Sequence, residues 1–139
     1  MVSSASNMPQ MTLAPKFVFG MEGNLKNSMF IYDEKKLVYV AGHNVVLLDL
    51  ITQQQSFIAG SPNATEINFV TLSPQGRFLA FCERATPFAQ VCVYELPSKR
   101  RSQVLPDPDM ENLNIQCKEF LNCAFSPVNE ASHMVTLSG

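Results

Sequence analysis

From residue 17 onward, short apolar runs rich in Val, Ile, Phe and Tyr alternate with clusters of polar, glycine and proline residues. Residues of these types at this spacing predict β-strands joined by hairpin turns, with neighbouring strands antiparallel. Only residues 109–121 have room for a helical turn, and Pro106 and Pro108 keep that turn from extending backward. We therefore predict an all-β fold. The predicted strands are residues 17–19, 28–32, 37–41, 45–50, 56–59, 67–72, 78–82, 90–96, 102–105, 120–125 and 133–137.

The predicted hairpins repeat along the chain. Asp33, Ser73 and Ser126 each begin a turn that leads into an apolar strand, at steps of 40 and 53 residues. Asp49 and Glu95 give a second landmark, because each follows an apolar or aromatic residue near the end of a third strand, 46 residues apart. Four antiparallel strands in each such period are the pattern of a WD-type β-propeller blade.

This period divides the chain into two complete blades and the start of a third. The first blade is predicted over residues 27–60 and the second over residues 65–105. The third begins at residue 120 and contains two strands. Residues 106–118 form an insertion between blades that explains the longer second step, since connecting loops tolerate insertions.

The ends of the chain give two further expectations. Residues 1–16 mix Ser, Asn, Pro and Met with no strand or helix period, so we predict a flexible N-terminal arm. Residues 17–139 are predicted to be the N-terminal segment of an incomplete propeller, because a ring needs at least four blades. In such a ring the strand at residues 17–19 is expected to join the last blade. Such a segment would be stable only within something larger, because both of its end faces are predicted to be apolar and uncovered.

Charge and hydropathy argue against some classes of binding partner. The net charge of −2 and the pI of about 5.6 provide no clustered basic excess, so neither nucleic acid nor an anionic membrane surface is an expected partner. No apolar run approaches the roughly 18 to 20 residues that a membrane span needs, and no secretory signal pattern opens the chain. We expect an intracellular protein.

The sequence predicts no catalytic, cofactor or metal site. His43 and His133 belong to no recognisable catalytic constellation, and the scattered glycines form no phosphate-binding loop. Asp107 and Asp109 lack a third carboxylate at calcium-loop spacing and are interpreted as a flexible acidic loop. Four cysteines without C-x-x-C spacing predict buried thiols: Cys82, Cys92, Cys117 and Cys123.

The one run of like charge is Lys99, Arg100 and Arg101. We interpret it as a solvated hairpin tip, with an acidic partner surface as the alternative. The residues that would contact partner proteins are unknown from the sequence. Propeller contacts are spread over loops whose composition carries no distinctive chemistry.

Several segments in fixed order carry a family resemblance. They are VFG at residues 18–20, NSMFIYDE at 27–34, FIAGS at 57–61, SP at 73–74 with RFLA at 77–80, YEL at 94–96, and AFSP at 124–127. Together they resemble the N-terminal propeller of the cilia- and flagella-associated WD-repeat proteins. The resemblance implies a scaffold in the cytoskeleton of the cilium or flagellum, where propellers dock other axonemal proteins. It further implies a role in anchoring inner-arm dyneins on doublet microtubules, within a large multi-protein assembly.

The chain also departs from that family. Its blades normally contain a hydrogen-bonded network of a loop His, a strand Ser or Thr, a turn Asp and a Trp, and this chain has no Trp. Gly42-His43 is similar to the family's Gly-His dipeptide but lies between the second and third strands instead of before the first. We therefore interpret His43 as an ordinary turn residue and expect the blades to be held mainly by apolar packing.

Two other functions remain open at this point. One is a WD-repeat adaptor in a non-ciliary complex, such as a ubiquitin-ligase substrate receptor that uses the same blade surfaces. The other is the propeller domain of a peptidase. A downstream coiled coil, a ligase-adaptor motif or a hydrolase domain in the full-length transcript would discriminate the three.

Overall fold

The computed structural model describes residues 13–106, 118–129 and 132–139, and every regular element in these ranges is a β-strand. The ten strands form three sheets, in which all neighbouring strands pair antiparallel. The strands are β1 (Met29–Tyr32), β2 (Lys36–Ala41), β3 (Asn44–Asp49), β4 (Gln55–Ala59), β5 (Ala64–Leu72), β6 (Phe78–Ala85), β7 (Gln90–Glu95), β8 (Arg100–Leu105), β9 (Phe120–Phe125) and β10 (Met134–Ser138).

The strand order confirms the predicted repeat. Strands β1 to β4 form one four-stranded sheet in chain order, here called blade 1, and β5 to β8 form an equivalent sheet, blade 2. Strands β9 and β10 form a two-stranded third sheet. Asp49 and Glu95 occupy equivalent positions as the last residues of β3 and β7. The fold is therefore all-β, with two propeller blades and part of a third.

Tight turns set the registers within the blades. Asp33 and Glu34 both have positive φ between β1 and β2, which suits a hairpin turn because its twist matches that of the flanking strands. Gly76 closes the β5–β6 connection at a φ of 73°, where an L side chain would be strained. These turns fix Ile31 opposite Leu37 and Leu72 opposite Leu79.

Blades 1 and 2 pack face to face through an apolar core. Alternate residues of a strand point to opposite faces of its sheet, so Val38 and Val40 face blade 2 while Tyr39 and Ala41 face away from it. Leu79 and Phe81 of β6 fill the opposite side of this interface and have no exposed surface. The buried residues of this core are Val38, Val40, Val45, Leu47, Ile58, Ile67, Val70, Leu79, Phe81, Cys92 and Leu96.

The other face of blade 2 packs on the third sheet. Because the central strands of blade 2 are covered on both sides, β6 and β7 are nearly continuous apolar runs. The buried residues of this second core are Ala80, Cys82, Ala89, Val91, Val93, Phe120 and Cys123. Residues Cys82, Cys92 and Cys123 are buried free thiols, which confirms that prediction for these three.

Four sequence-based strand assignments are wrong by more than one residue. Strand β6 ends at Ala85, three residues beyond the predicted residue 82. Residues 17–19 belong to no ladder among the described residues, where the backbone of Val18 forms its hydrogen bonds with the side chain of Gln55. Strand β5 begins at Ala64, three residues before the predicted residue 67, and its ladder with β6 has register shifts on both sides of the Glu66–Arg84 pair. Strand β8 begins at Arg100, two residues earlier than predicted, which places part of the basic run inside a strand.

Some predictions lie outside the described residues. They concern most of the N-terminal arm, residues 1–12, and the middle of the insertion, residues 107–117, with Asp107, Asp109, Cys117 and most of the candidate helical turn. Across the ranges described, there is no helix with the length and apolar character required to cross a bilayer.

Candidate functional site

A fully buried carboxylate lies between the two blades. Glu83 follows Phe81 and Cys82 in β6, and none of its side chain is exposed. It is on the same face of β6 as Phe81, so it points toward blade 1. A buried charged or polar group is costly unless it is hydrogen-bonded, so its partners decide whether this position is stable.

Three donors surround the Glu83 carboxylate. The backbone N–H of Ser61 donates to Oε1 at 2.8 Å. Gln90 Nε2 donates to Oε2 at 2.7 Å, and Cys92 Sγ donates to the same oxygen at 3.4 Å. Ser61 lies in the connection from blade 1 to blade 2, whereas Gln90 and Cys92 lie in β7. The carboxylate thus ties the inter-blade connection to the middle of blade 2.

The imidazole of His43 approaches this carboxylate from blade 1. Its Nε2 lies 3.9 Å from Glu83 Oε1, and the side chain is 37% exposed. The carbonyl oxygen of His43 accepts the backbone N–H of Gly60 at 2.9 Å. A Cβ at Gly60 would lie 2.0 Å from His43 Nε2 and 2.8 Å from Glu83 Oε1, so only glycine allows this approach. We call His43, Ser61, Glu83, Gln90 and Cys92 the blade joint.

The thiol of Cys92 is held in its neutral form. Burial, followed by the nearby Glu83 carboxylate, raises the pKa of Cys92 to about 12. Its sulfur also lies 3.7 Å from Ser61 Oγ, within hydrogen-bonding range of sulfur. A thiol rather than a thiolate at neutral pH is a donor and a poor nucleophile. Within the blade joint, Cys92 therefore acts as a hydrogen-bond donor to Glu83.

The blade joint provides hydrogen bonds between blade 2 and the inter-blade connection in a chain that has no Trp. Gly60-Ser61 lies in the connection that leads to the first strand of blade 2, and Glu83 lies in the second strand. Tyr94, which precedes Glu95 at the end of β7, stacks on Phe81 with a centroid separation of 5.4 Å. Burial raises the pKa of Tyr94, which keeps its hydroxyl neutral.

Sequence reasoning missed the centre of this site. Glu83 was not singled out, although an acid within the apolar run FLAFCE, two residues after Phe81, was the available signal. His43 does lie in the β2–β3 turn as predicted, but it also contributes to the blade joint. His133 lies apart from this site, exposed, with its Nδ1 2.9 Å from Ser132 Oγ.

The two acids that end the third strands, Asp49 and Glu95, have different hydrogen-bond partners. Asp49 accepts the backbone N–H groups of Ile51 and Thr52 at 2.9 and 2.8 Å, and these two bonds lower the pKa of Asp49. Glu95 instead pairs with Arg77 at 3.1 Å and Arg100 at 3.2 Å. A hydrogen bond from Arg77 is the main cause of the lowered pKa of Glu95.

The basic run is therefore divided between a turn and a strand. Lys99 lies in the β7–β8 turn with a φ of 56°, whereas Arg100 and Arg101 are the first residues of β8. The interpretation as a solvated hairpin tip holds for Lys99, which is exposed, while Arg100 is committed to Glu95. Among the described residues, no three His, Cys, Asp or Glu side chains group closely enough to hold a metal ion.

The sheets and their connections define the class of protein. Four-stranded antiparallel sheets joined in chain order, packed face to face and ending their third strands with an acid, are blades of a WD-type β-propeller. A WD40 propeller chain in a crystal structure of the mitotic checkpoint complex superposes with a TM-score of 0.52. At 15% identity, the match covers 96% of this chain and 49% of that chain, and it supports the fold alone.

Comparison with curated proteins shows which WD-repeat proteins are related to this chain in sequence. Cilia- and flagella-associated protein 57 C of Tetrahymena thermophila is 32% identical over 127 residues, or 89% of this chain. Cilia- and flagella-associated protein 57 of Mus musculus is 32% identical over 112 residues, or 79% of this chain. The chain spans 10% and 9% of the length of these two relatives. No protein-family model matches the chain.

A third relative is another cilia- and flagella-associated protein. Cilia- and flagella-associated protein 44 of Mus musculus is 28% identical over 106 residues, or 76% of this chain. The resemblance seen in the sequence is thereby confirmed, since several proteins of the same description match over most of the chain. The chain is a WD-repeat relative of cilia- and flagella-associated protein 57.

Proposed function

We propose that this chain is part of a non-enzymatic WD-repeat scaffold in the axoneme of a cilium or flagellum. Its blades form a rigid platform whose loops and sheet edges dock other axonemal proteins. The inner-arm dyneins and the proteins bound to doublet microtubules are the proposed partners. Neither nucleic acid nor a membrane is among them.

The observation that carries this proposal is the 32% identity with a cilia- and flagella-associated protein over 89% of the chain. A second relative of the same description matches at the same identity in a distant organism. The blade joint adds a physical argument, because the buried Glu83 carboxylate ties the inter-blade connection to blade 2 and so helps to fix the geometry of the two sheets. A rigid scaffold with variable loops suits binding.

We further propose that residues 17–139 belong to a larger propeller. The outer face of the third sheet has large apolar side chains in water, with Val135 73% exposed and Leu137 58% exposed. Val135 is paired with Ala124 and Leu137 with Asn122, so both project from the same face. An apolar sheet face of this kind is what a further blade would cover.

Fractionation of cilia tests the axonemal function. The full-length protein would be tagged at its own locus, and isolated cilia would be extracted with detergent to separate axonemes from membrane and matrix. We expect the protein in the axonemal fraction, and proximity labelling from the tag should mark inner-arm dynein subunits. Recovery of the protein only in the soluble fraction, or outside the cilium, would contradict the proposal and favour a non-ciliary adaptor.

A pair of variants tests whether the folded blades are needed to retain the protein on the axoneme. Val45→Asp places a charge in the core between the blades, where Val45 has no exposed surface. Val128→Asp is the matched control, because Val128 is 68% exposed. We expect Val45→Asp to reduce axonemal retention and Val128→Asp to leave it unchanged. Equal retention of both variants would show that these blades do not dock the protein.

A further inference from the structure

Residues 17–22, here called the strap, cross blade 1 on the face that points away from blade 2. One end is clamped by the side-chain amide of Gln55 in β4. The backbone N–H of Val18 donates to Gln55 Oε1 at 2.7 Å, and Gln55 Nε2 donates to the carbonyl oxygen of Val18 at 3.0 Å. At the other end, the backbone N–H of Glu22 donates to the carbonyl oxygen of Val40 at 2.8 Å.

The strap covers an apolar cluster on that face. Tyr39, Ala41 and Val46 are buried there, and Val46 has no exposed surface although no other sheet lies on it. Val18 packs against this cluster. The hydroxyl oxygen of Tyr39 also accepts a hydrogen bond from Gln55 Nε2 at 3.1 Å, so the clamp and the cluster are connected. The expectation that both end faces are uncovered is therefore wrong for blade 1.

The attachment of the strap is small compared with a sheet-on-sheet interface. Val18 is the one strap residue that packs on the cluster, while Phe19 is 90% exposed and Phe17 is 52% exposed. The rings of Phe17 and Phe19 lie 4.8 Å apart and contact each other. The opposite face of blade 1, by comparison, packs on blade 2 through a core to which both sheets contribute.

We propose that the strap is a displaceable cap on blade 1. It occupies the face on which another sheet of a propeller would pack, and it must leave that face before such a sheet can bind. This inference rests on the proposal that the chain is a propeller segment. The competing occupant is defined by its chemistry as the apolar face of an antiparallel sheet, because sheet faces are what blades bury against one another.

Removal of residues 1–20, which takes away Val18 but leaves Met21 and Glu22 of the strap, tests this competition without any axonemal partner. A chain that begins at Met21 lacks Val18, and Gln55→Ala in the whole chain releases the clamp. Gln54→Ala is the matched control, because Gln54 is the exposed neighbour of Gln55 and has no described hydrogen bond to residues of the strap. Self-association of each chain would be followed by sedimentation velocity.

We expect the chain that begins at Met21 to self-associate at a concentration lower by a factor of about ten than the whole chain. Gln55→Ala should shift association in the same direction, and Gln54→Ala should have no effect. A labelled peptide of residues 13–22 should bind the shortened chain and dissociate its oligomers, because peptide and sheet compete for one face. Gln55→Ala in the shortened chain should weaken peptide binding.

Three results would overturn the inference. The first is a shortened chain that associates no more than the whole chain while its sheets remain folded by circular dichroism. The second is peptide binding that leaves the oligomers intact, since strap and sheet would then use separate faces. The third is a shortened chain that unfolds and is not restored by the peptide, because the strap would then be an integral part of the core. None of these results would alter where the full-length protein is found in cilia. Failure of the strap proposal can therefore be distinguished from failure of the proposed axonemal function.

Discussion

At the scale of single residues, Glu83 connects the blades through a carboxylate that only accepts hydrogen bonds. Each of its described partners is a donor, namely the backbone N–H of Ser61, the amide of Gln90 and the thiol of Cys92. Such an arrangement is stable because both buried carboxylate oxygens accept hydrogen bonds from protein donors. The same arrangement makes the position intolerant of a donor.

Glu83→Gln replaces one acceptor oxygen with an NH2 group. If the NH2 of the new amide points toward Ser61, it faces the backbone N–H of that residue, and two donors meet. If it points the other way, Gln90 must reverse its own amide to accept from it, and the Cys92 thiol loses its acceptor. A buried donor left without an acceptor costs about 1–3 kcal/mol, and we expect this loss in the free energy of unfolding measured with urea. Glu66→Gln is the control and should cost less than about 1 kcal/mol, since Glu66 forms an exposed pair with Arg84. Equal costs for both variants would refute the importance of the blade joint.

Gly60→Ala tests the close approach of His43. The added Cβ would lie 1.9 Å from His43 Cδ2 and 2.8 Å from Glu83 Oε1, so the imidazole must move. We expect a loss of about 1–3 kcal/mol in unfolding free energy, as for other overpacked sites. Adding His43→Ala should recover part of that loss. Gly23→Ala is the control, because a Cβ there meets nothing within 4 Å.

The reactivity of Cys92 reports on its burial. Because burial raises the pKa of Cys92 to about 12, almost no thiolate exists at pH 8 in the folded chain. Iodoacetamide should therefore leave Cys92 unmodified until denaturant unfolds the blades, as judged by peptide mass mapping. Rapid alkylation of Cys92 in the native protein would mean that blades 1 and 2 separate readily in solution.

At the scale of elements, the β3–β4 turn depends on the ionised form of Asp49. Its two hydrogen bonds from Ile51 and Thr52 lower the pKa of Asp49 in the folded state. A lowered pKa stabilises the fold above the unfolded pKa of about 4, and that contribution is lost as the pH falls through the folded pKa. Asp49→Ala should thus lower the Tm at pH 7 and have progressively less effect below about pH 4. A difference in Tm that is independent of pH would contradict this role.

Strand prediction succeeded where both faces of a sheet are apolar. The runs that became β2, β3, β6 and β7 are rich in Val, Leu and Phe because each is covered on both sides. The predicted ends were less accurate where charged residues continue a ladder, as at Glu66 and Arg100. Residues 17–19 have a strand-like composition, but composition does not identify a ladder partner, and their backbone is held by a side chain instead.

The blade joint was beyond prediction for a different reason. Its members come from the β2–β3 turn, the inter-blade connection and two strands of blade 2, so only the packing of the blades brings them together. The pattern of the sequence did indicate that the Trp-based network was absent. It could not indicate that a buried Glu83 would accept a hydrogen bond from Ser61 in the inter-blade connection.

At the scale of the whole molecule, the described chain is a stack of three sheets held by two apolar cores. Blade 2 is covered on both faces and should be the most stable element. Blade 1 is covered by blade 2 and by the strap, whereas the third sheet leaves Val135 and Leu137 in water. The two ends of the stack thus differ, and both belong to surfaces that a larger propeller would bury.

Cryo-electron tomography of axonemes offers the most direct test of the central claim, that this stack is part of a propeller scaffold on the axoneme. The measurement is a comparison of subtomogram averages from cells with and without an electron-visible tag on the full-length protein. The account predicts additional tag density at a regular interval along the doublet microtubules, next to a ring of packed sheets. Averages that are identical with and without the tag, while the tagged protein is present in the cell, would contradict it.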